Sequence, residues 1–199
     1  MKNICVFCGS NPGSNPDYME GAKKLGIALA EAGITLVYGG ARVGLMGAVA
    51  DTVLAHGGEV IGVIPKSLVD REIAHTGLTD LHIVGSMHER KALMSELADG
   101  FIALPGGSGT LEEFFEVFTW AQLGHHQKPC GLLNLNGYFT PLLQFIDHTI
   151  GEGFMKEDYR AMILSDSEPE PLLQRFEQYQ APEIVKWVDH RPSTLSKES

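Results

Sequence analysis

The chain lacks any apolar run long enough to cross a membrane, and its opening, Met1-Lys2-Asn3-Ile4-Cys5-Val6-Phe7-Cys8, holds one lysine and no hydrophobic segment of signal-peptide length. A cytoplasmic location is expected, with no membrane partner. Cysteine is scarce, three in 199 residues, which fits a reducing compartment. Cys5-x-x-Cys8 falls inside a predicted strand, where residues three apart point to opposite faces, so a redox or zinc reading is weak. Basic charge is also short: 15 Lys and Arg against 25 Asp and Glu leave a formal net charge of -10. That balance argues against polymeric nucleic acid and anionic membranes, while leaving room for an anionic small molecule wherever cations are concentrated.

Several nucleotide and hydrolase signatures are missing as well. No Walker lysine follows a glycine loop, and Gly107-Ser108-Gly109 lacks the glycines two residues on each side of the serine that a nucleophile elbow needs. Gly40 and Gly44 are separated by three residues, and Gly107-x-Gly109 lacks the third glycine of a dinucleotide fingerprint. ATPase and serine hydrolase readings both fail, and NAD is not the favoured ligand. His125-His126 has no third ligand at suitable spacing and reads as a solvated cap at a helix C-terminus, so no metal and no cofactor is called for.

What is present is regular alternation. Apolar runs predict strands at Ile4 to Cys8, Thr35 to Tyr38, Val60 to Ile64, Leu81 to Val84, Phe101 to Leu104 and Cys130 to Leu133. Helical patterns cover Pro16 to Ala32, Leu45 to His56, Met87 to Ala98, Leu111 to Leu123 and Tyr138 to Glu152, with shorter ones near Lys156 to Met162 and Pro169 to Gln178. Such alternation predicts an α/β fold: a Rossmann-like, doubly wound parallel sheet with helices on both faces. The length suits one domain over 1–180, followed by a tail over 181–199 expected to dock or to be partly disordered.

Ligands of such sheets sit beyond the carboxyl ends of the strands, where glycines recur at Gly9-Ser10, Gly39-Gly40 and Gly106-Gly107-Ser108-Gly109. Three loops on one rim imply one site. The last is the most telling, because Pro105 to Glu113 follows a strand and opens a helix, where close-approaching N–H groups, the helix N-terminus and the Thr110 hydroxyl suit a phosphate. A structural alternative is a capping box, Thr110-x-x-Glu113, worth about 1 kcal/mol and implying no chemistry.

On the helix from Met87 to Ala98, Met87, Met94, Leu97 and Ala98 form one side, flanked by Arg90 and Lys91, with Glu89 and Glu96 opposite. Two readings of these cations are open: their stems snorkel to water, or they face a polar pocket or bound anion. On the next helix Leu111, Phe114, Phe115, Phe118 and Ala121 form the core stripe, leaving Glu112, Glu113, Glu116 and Thr119 on other faces. First-turn carboxylates there suit the helix dipole, and one beside a phosphate loop would face the sugar of a bound nucleotide. Glu72 lies in a loop after Pro65, where charge is normally just solvated.

Pro105-Gly106-Gly107-x-Gly109-Thr110-x-x-Glu113 together with Met87-His88-x-Arg90-Lys91 resembles the LOG (Lonely Guy) family of cytokinin-activating phosphoribohydrolases. The likeness runs from Val6-Phe7-Cys8-Gly9-Ser10 through Gly39-Gly40, Gly44-Leu45-Met46-Gly47 and Glu72-Ile73-x-His75 to Thr119-Trp120-Ala121-Gln122-Leu123-Gly124 and Gly151-Glu152-Gly153-Phe154. The resemblance implies hydrolysis of the N-glycosidic bond of a cytokinin riboside 5'-monophosphate to free base and ribose 5-phosphate, or a broader AMP nucleosidase activity on purine 5'-monophosphates. It implies catalytic roles for Arg90 and Glu113, and nucleotide contacts for Glu72, Lys91, Gly107, Ser108, Gly109, Thr110, Leu111, Glu112 and Thr119. It also implies a homodimer with sites near the subunit interface. The family's other label, lysine decarboxylase, finds no support, since nothing forms a recognisable pyridoxal phosphate site around a Schiff-base lysine. The rival from another class is a noncatalytic nucleotide carrier on the same scaffold, which would need the glycine loop but not both Arg90 and Glu113.

Overall fold

The computed structural model describes residues 1–69 and 73–182. Its centre is a seven-stranded sheet of β1 (Asn3–Phe7), β2 (Thr35–Tyr38), β3 (Val60–Pro65), β4 (Asp80–Val84), β5 (Gly100–Ala103), β6 (Cys130–Leu133) and β7 (Ile163–Asp166), in the order β4-β3-β2-β1-β5-β6-β7. Every pairing is parallel. The connections therefore cross over the faces. The helices are α1 (Pro16–Glu31), α2 (Gly44–Ala55), α3 (Lys66–Val69), α4 (Met87–Leu97), α5 (Ser108–Gln122), α6 (Thr140–Gly151), α7 (Glu157–Arg160) and α8 (Pro169–Gln178).

The strands alternate their buried side chains between two cores. Ile4 and Val6 pack with α1, α2 and α8, whereas Cys5 and Phe7 pack with α4, α5 and α6. Cys5 and Cys8 accordingly lie in different cores on opposite faces of the sheet, as their spacing requires. The doubly wound expectation holds. Chain order reverses between β1 and β5, which places the switch point, and the crevice beyond the strand ends, at the Gly9 and Pro105 loops.

Four details differ from the sequence reading. β7 is an additional edge strand: its Ile-Leu-Ser-Asp run is half polar and gives no apolar signal. α3 is a single short turn that periodicity does not reach. α6 starts at Thr140 rather than Tyr138, because Asn136 (φ 51°) and Gly137 (φ 72°) adopt left-handed backbone and end a 3-10 turn first. α5 starts at Ser108 rather than Leu111, with Gly107 as its N-cap, so Gly109 and Thr110 belong to the first helical turn. The expected tail over 181–199 lies outside the described residues apart from Ala181 and Pro182.

The start of α4 is fixed from outside the core. Ser86 accepts a hydrogen bond from the Glu89 N–H at 3.1 Å, and the Glu89 carboxylate accepts from the Gly85 N–H at 2.9 Å. With that first turn pinned, helical periodicity carries Arg90 and Met94 to the buried side. Met87, assigned to the apolar side by its position on the wheel, is instead 46% exposed, on the wall of the pocket described below.

Candidate active site

The rim loops meet as expected. A pocket of about 530 Å³ is lined by Gly9 and Ser10 after β1, Gly39 after β2, the Gly106–Thr110 loop after β5, and Arg90, Glu112 and Glu113 from the helices. Within the glycine loop the residues differ in what surrounds them. A Cβ on Gly106 would collide with the Thr110 hydroxyl and lie 2.8 Å from the Gly9 nitrogen, so that glycine is required by packing. At Gly107 and Gly109 nothing lies within 4 Å of a Cβ position, so packing does not require glycine there. What a side chain would obstruct at those two positions is the approach of something outside the chain to the backbone.

The N-terminus of α5 has no side-chain cap. Its first-turn N–H groups have no partners within the helix and carry the positive end of the dipole into the pocket. The capping box is not formed: Thr110 is the third residue of the helix and is buried against Gly106, while Glu113 turns away from the cap.

Glu113 turns toward Arg90. Arg90 Nη1 donates to Glu113 Oε1 at 3.0 Å, and Arg90 Nε donates to the Val63 carbonyl at 3.1 Å. The two side chains are only 10% and 12% exposed, so the pair is both desolvated and fixed. Burial raises the Glu113 carboxyl above the usual glutamate range; the Arg90 guanidinium works against that rise, and Glu112 adds to it. Gly39 makes room for the arrangement, since a Cβ there would collide with Arg90 Nη2. The cations of α4 therefore do not snorkel but meet carboxylates, for Lys91 Nζ bridges Glu112 at 2.7 Å and Glu116 at 3.0 Å.

Of the anticipated residues, Arg90, Gly107, Ser108, Gly109, Thr110, Glu112 and Glu113 line this pocket, whereas Lys91, Leu111 and Thr119 do not. Thr119 is exposed on α5, seven residues beyond Glu112 and on the same side of the helix. Glu72 lies outside the described residues. The sequence reading missed Asn11, Tyr18, Met46 and Tyr138, which also line it. Asn11 lies two residues after Gly9 and was within reach of the rim argument, but Tyr138 arrives from a distant turn and has no local signal. His126 is not a solvated cap: it is half-buried, its Nε2 lies 2.9 Å from the Val117 carbonyl, and its Nδ1 accepts from the Lys128 N–H.

The sheet order and the pocket at its switch point define a Rossmann-like α/β protein with an anion-ready helix N-terminus beside a buried carboxylate–guanidinium pair. The family model described as possible lysine decarboxylase matches residues 46–176. The cytokinin riboside 5'-monophosphate phosphoribohydrolase LOG of Oryza sativa subsp. japonica is 49% identical over 199 residues, covering 98% of this chain and 82% of that protein. The cytokinin riboside 5'-monophosphate phosphoribohydrolase of Rhodococcoides fascians is 55% identical over 164 residues, covering 82% and 83%. The chain belongs to the LOG family.

Solved structures share the fold at lower identity. The molybdenum cofactor binding protein of Rippkaea orientalis has a TM-score of 0.67 at 22% identity, covering 89% of this chain and 97% of its own. The Moco carrier protein of Chlamydomonas reinhardtii has 0.68 at 18%, covering 89% and 96%. Among the described residues no helix is long and apolar enough to cross a membrane.

Proposed function

We propose that the chain is a phosphoribohydrolase that cleaves the N-glycosidic bond of cytokinin riboside 5'-monophosphates, and of AMP itself, giving free base and ribose 5-phosphate. The observation that carries this reading is the juxtaposition, in one pocket, of an uncapped glycine-lined helix start and the buried Arg90–Glu113 pair. The relatives' names point to the same reaction.

The 5'-phosphate sits on the N–H groups of Gly107, Ser108, Gly109 and Thr110, so that binding energy remote from the reacting bond positions the ribose over Glu113. As the bond from C1' to the base nitrogen breaks, its electron pair leaves with the base and the sugar gains oxocarbenium character. The Glu113 carboxylate stabilises that cation and takes a proton from the attacking water, whose oxygen bonds to C1'; that proton then goes to the nitrogen of the departed base, which leaves neutral, and Glu113 is again a carboxylate. Arg90 orients Glu113 and favours its ionised form against the upward pull of burial. Met46, Met87 and Met94 give the pocket an apolar wall suited to an N6 substituent on the base.

The proposal extends to a homodimer acting in the cytoplasm. Lys91, Leu111 and Thr119 lie outside one chain's pocket although the family pattern assigns them to the nucleotide, which supports completion of the site by a second copy. The buried thiols, unpaired among the described residues, suit a reducing compartment.

The test is release of base and ribose 5-phosphate from AMP and isopentenyladenosine monophosphate by wild type and Glu113→Gln, with the unphosphorylated ribosides as controls. Release that needs the phosphate and falls about a hundredfold or more in the variant is expected. Binding without release in wild type would make the chain a carrier.

A further inference from the structure

Tyr138 lines the same pocket, reaching it from the turn after β6. It follows the 3-10 turn Leu135–Gly137, and its hydroxyl donates to the Gly106 carbonyl at 2.6 Å. The turn that delivers it is held firmly: the Asn134 side chain accepts from the Phe139 N–H at 2.6 Å and donates to the Thr140 hydroxyl at 3.1 Å. The ring packs edge-on against Tyr18 at 5.5 Å and against Phe139 at 5.0 Å between centroids. Tyr138 is nevertheless 39% exposed, so the contact is not a by-product of burial.

The bonded carbonyl belongs to the peptide that joins Gly106 to Gly107. In a planar trans peptide the C=O and the following N–H point in opposite directions. A hydroxyl that holds the Gly106 oxygen therefore also sets the direction of the Gly107 N–H. The preceding carbonyl, of Pro105, is tied in the same manner by the Gly9 N–H at 3.0 Å. Gly107, with no atom within 4 Å of its Cβ position, has no side-chain packing to fix that plane by itself.

We infer that Tyr138 is a positioning residue for the anion cradle: its hydroxyl locks the 106–107 peptide so that the Gly107 N–H is presented to the 5'-phosphate. The inference rests on the phosphate-loop reading above, and it concerns binding of the phosphate end of the ligand only.

Tyr138→Phe keeps the ring contacts and removes the hydroxyl alone. Its KM for AMP should rise about 5- to 10-fold with kcat within twofold of wild type, the effect of one lost hydrogen bond. Dissociation constants for inorganic phosphate and ribose 5-phosphate, by calorimetric titration, should rise by the same factor while that of adenine stays unchanged. A loss shared equally by adenine, unchanged phosphate and ribose 5-phosphate affinity, or a wild type that binds neither anion, would overturn the inference. Because these titrations need no turnover, a wild type that binds the anions but releases no base would overturn the hydrolase reading and still decide the role of Tyr138. Tyr138→Leu, which also removes the ring, should weaken anion binding at least as much as Tyr138→Phe; anion affinity at the wild-type value in that variant would count against the inference.

Discussion

Gly39→Ala is the sharpest test of how the Arg90–Glu113 pair is held. Gly39 is not among the glycines with positive φ, so alanine meets no backbone strain there, and the perturbation is one methyl group against Arg90 Nη2. The guanidinium has no slack with which to yield. It is 10% exposed and tied by Nη1 to Glu113 at 3.0 Å and by Nε to Val63 at 3.1 Å. Displacing it breaks hydrogen bonds to a charged group worth about 1.5 to 3 kcal/mol each. It also strips a buried carboxylate of its counterion, so the whole cost should be about 3 to 5 kcal/mol. A misplacement of about 1 Å at the reacting centre should lower kcat/KM by roughly a hundredfold. Urea unfolding and steady-state kinetics of Gly39→Ala, Arg90→Ala and the double variant form a cycle. If the methyl acts through Arg90, its cost nearly vanishes once Arg90 is alanine. An equal cost in both backgrounds, or a Gly39→Ala enzyme as stable and active as wild type, refutes the steric argument.

The pH dependence of kcat/KM should show an acid limb above the ordinary glutamate range, because burial raises the Glu113 carboxyl, and Arg90→Gln should move that limb higher by removing the cation that opposes the rise. Since Glu113 binds its proton more tightly folded than unfolded, its contribution to stability is complete below the unfolded pKa and is lost as pH climbs through the folded one; Glu113→Gln should flatten that fall in denaturant midpoints. Gly106→Ala should cost about 1 to 3 kcal/mol through overpacking against Thr110 and Gly9, whereas Gly107→Ala should leave the melting temperature within a degree or two and weaken phosphate binding, as calorimetry and titration would show. Native protein at pH 8 should resist alkylation at all three thiols, since burial raises Cys5 and Cys8 and pushes Cys130 up to about 12; mass spectrometry should find them reactive only after unfolding.

The sheet was legible because five of its strands are largely apolar runs buried on both faces, the pattern parallel sheets impose, while the edge strand β4 still shows Leu81, Ile83 and Val84 around His82. β7 was not, because Ser165 and Asp166 at an edge carry no such pattern. The glycine rim could be read from strand–glycine–helix spacing, but the meaning of Glu113 could not. Thr110-x-x-Glu113 fits a capping box equally well until Gly107 is seen to cap the helix and Arg90, 23 residues away in sequence, is seen to claim the carboxylate. Tyr138, and the packing of the rim glycine Gly39 against Arg90, were illegible for the same reason: Gly106 and Arg90 are joined to them only by the fold.

The Ser86–Glu89 clasp at the outer end of α4 bears on how this chain can vary. A helix turns roughly 100° per residue, so adding or deleting one residue between the clasp and Arg90 would swing the guanidinium out of the pocket while leaving every individual side chain intact. The four positions from 86 to 89 therefore act as a ruler whose length matters more than its composition, and natural or engineered changes there should be confined to substitutions. Length variation belongs instead on the far side of Gly85, where the clasp would reset the phase.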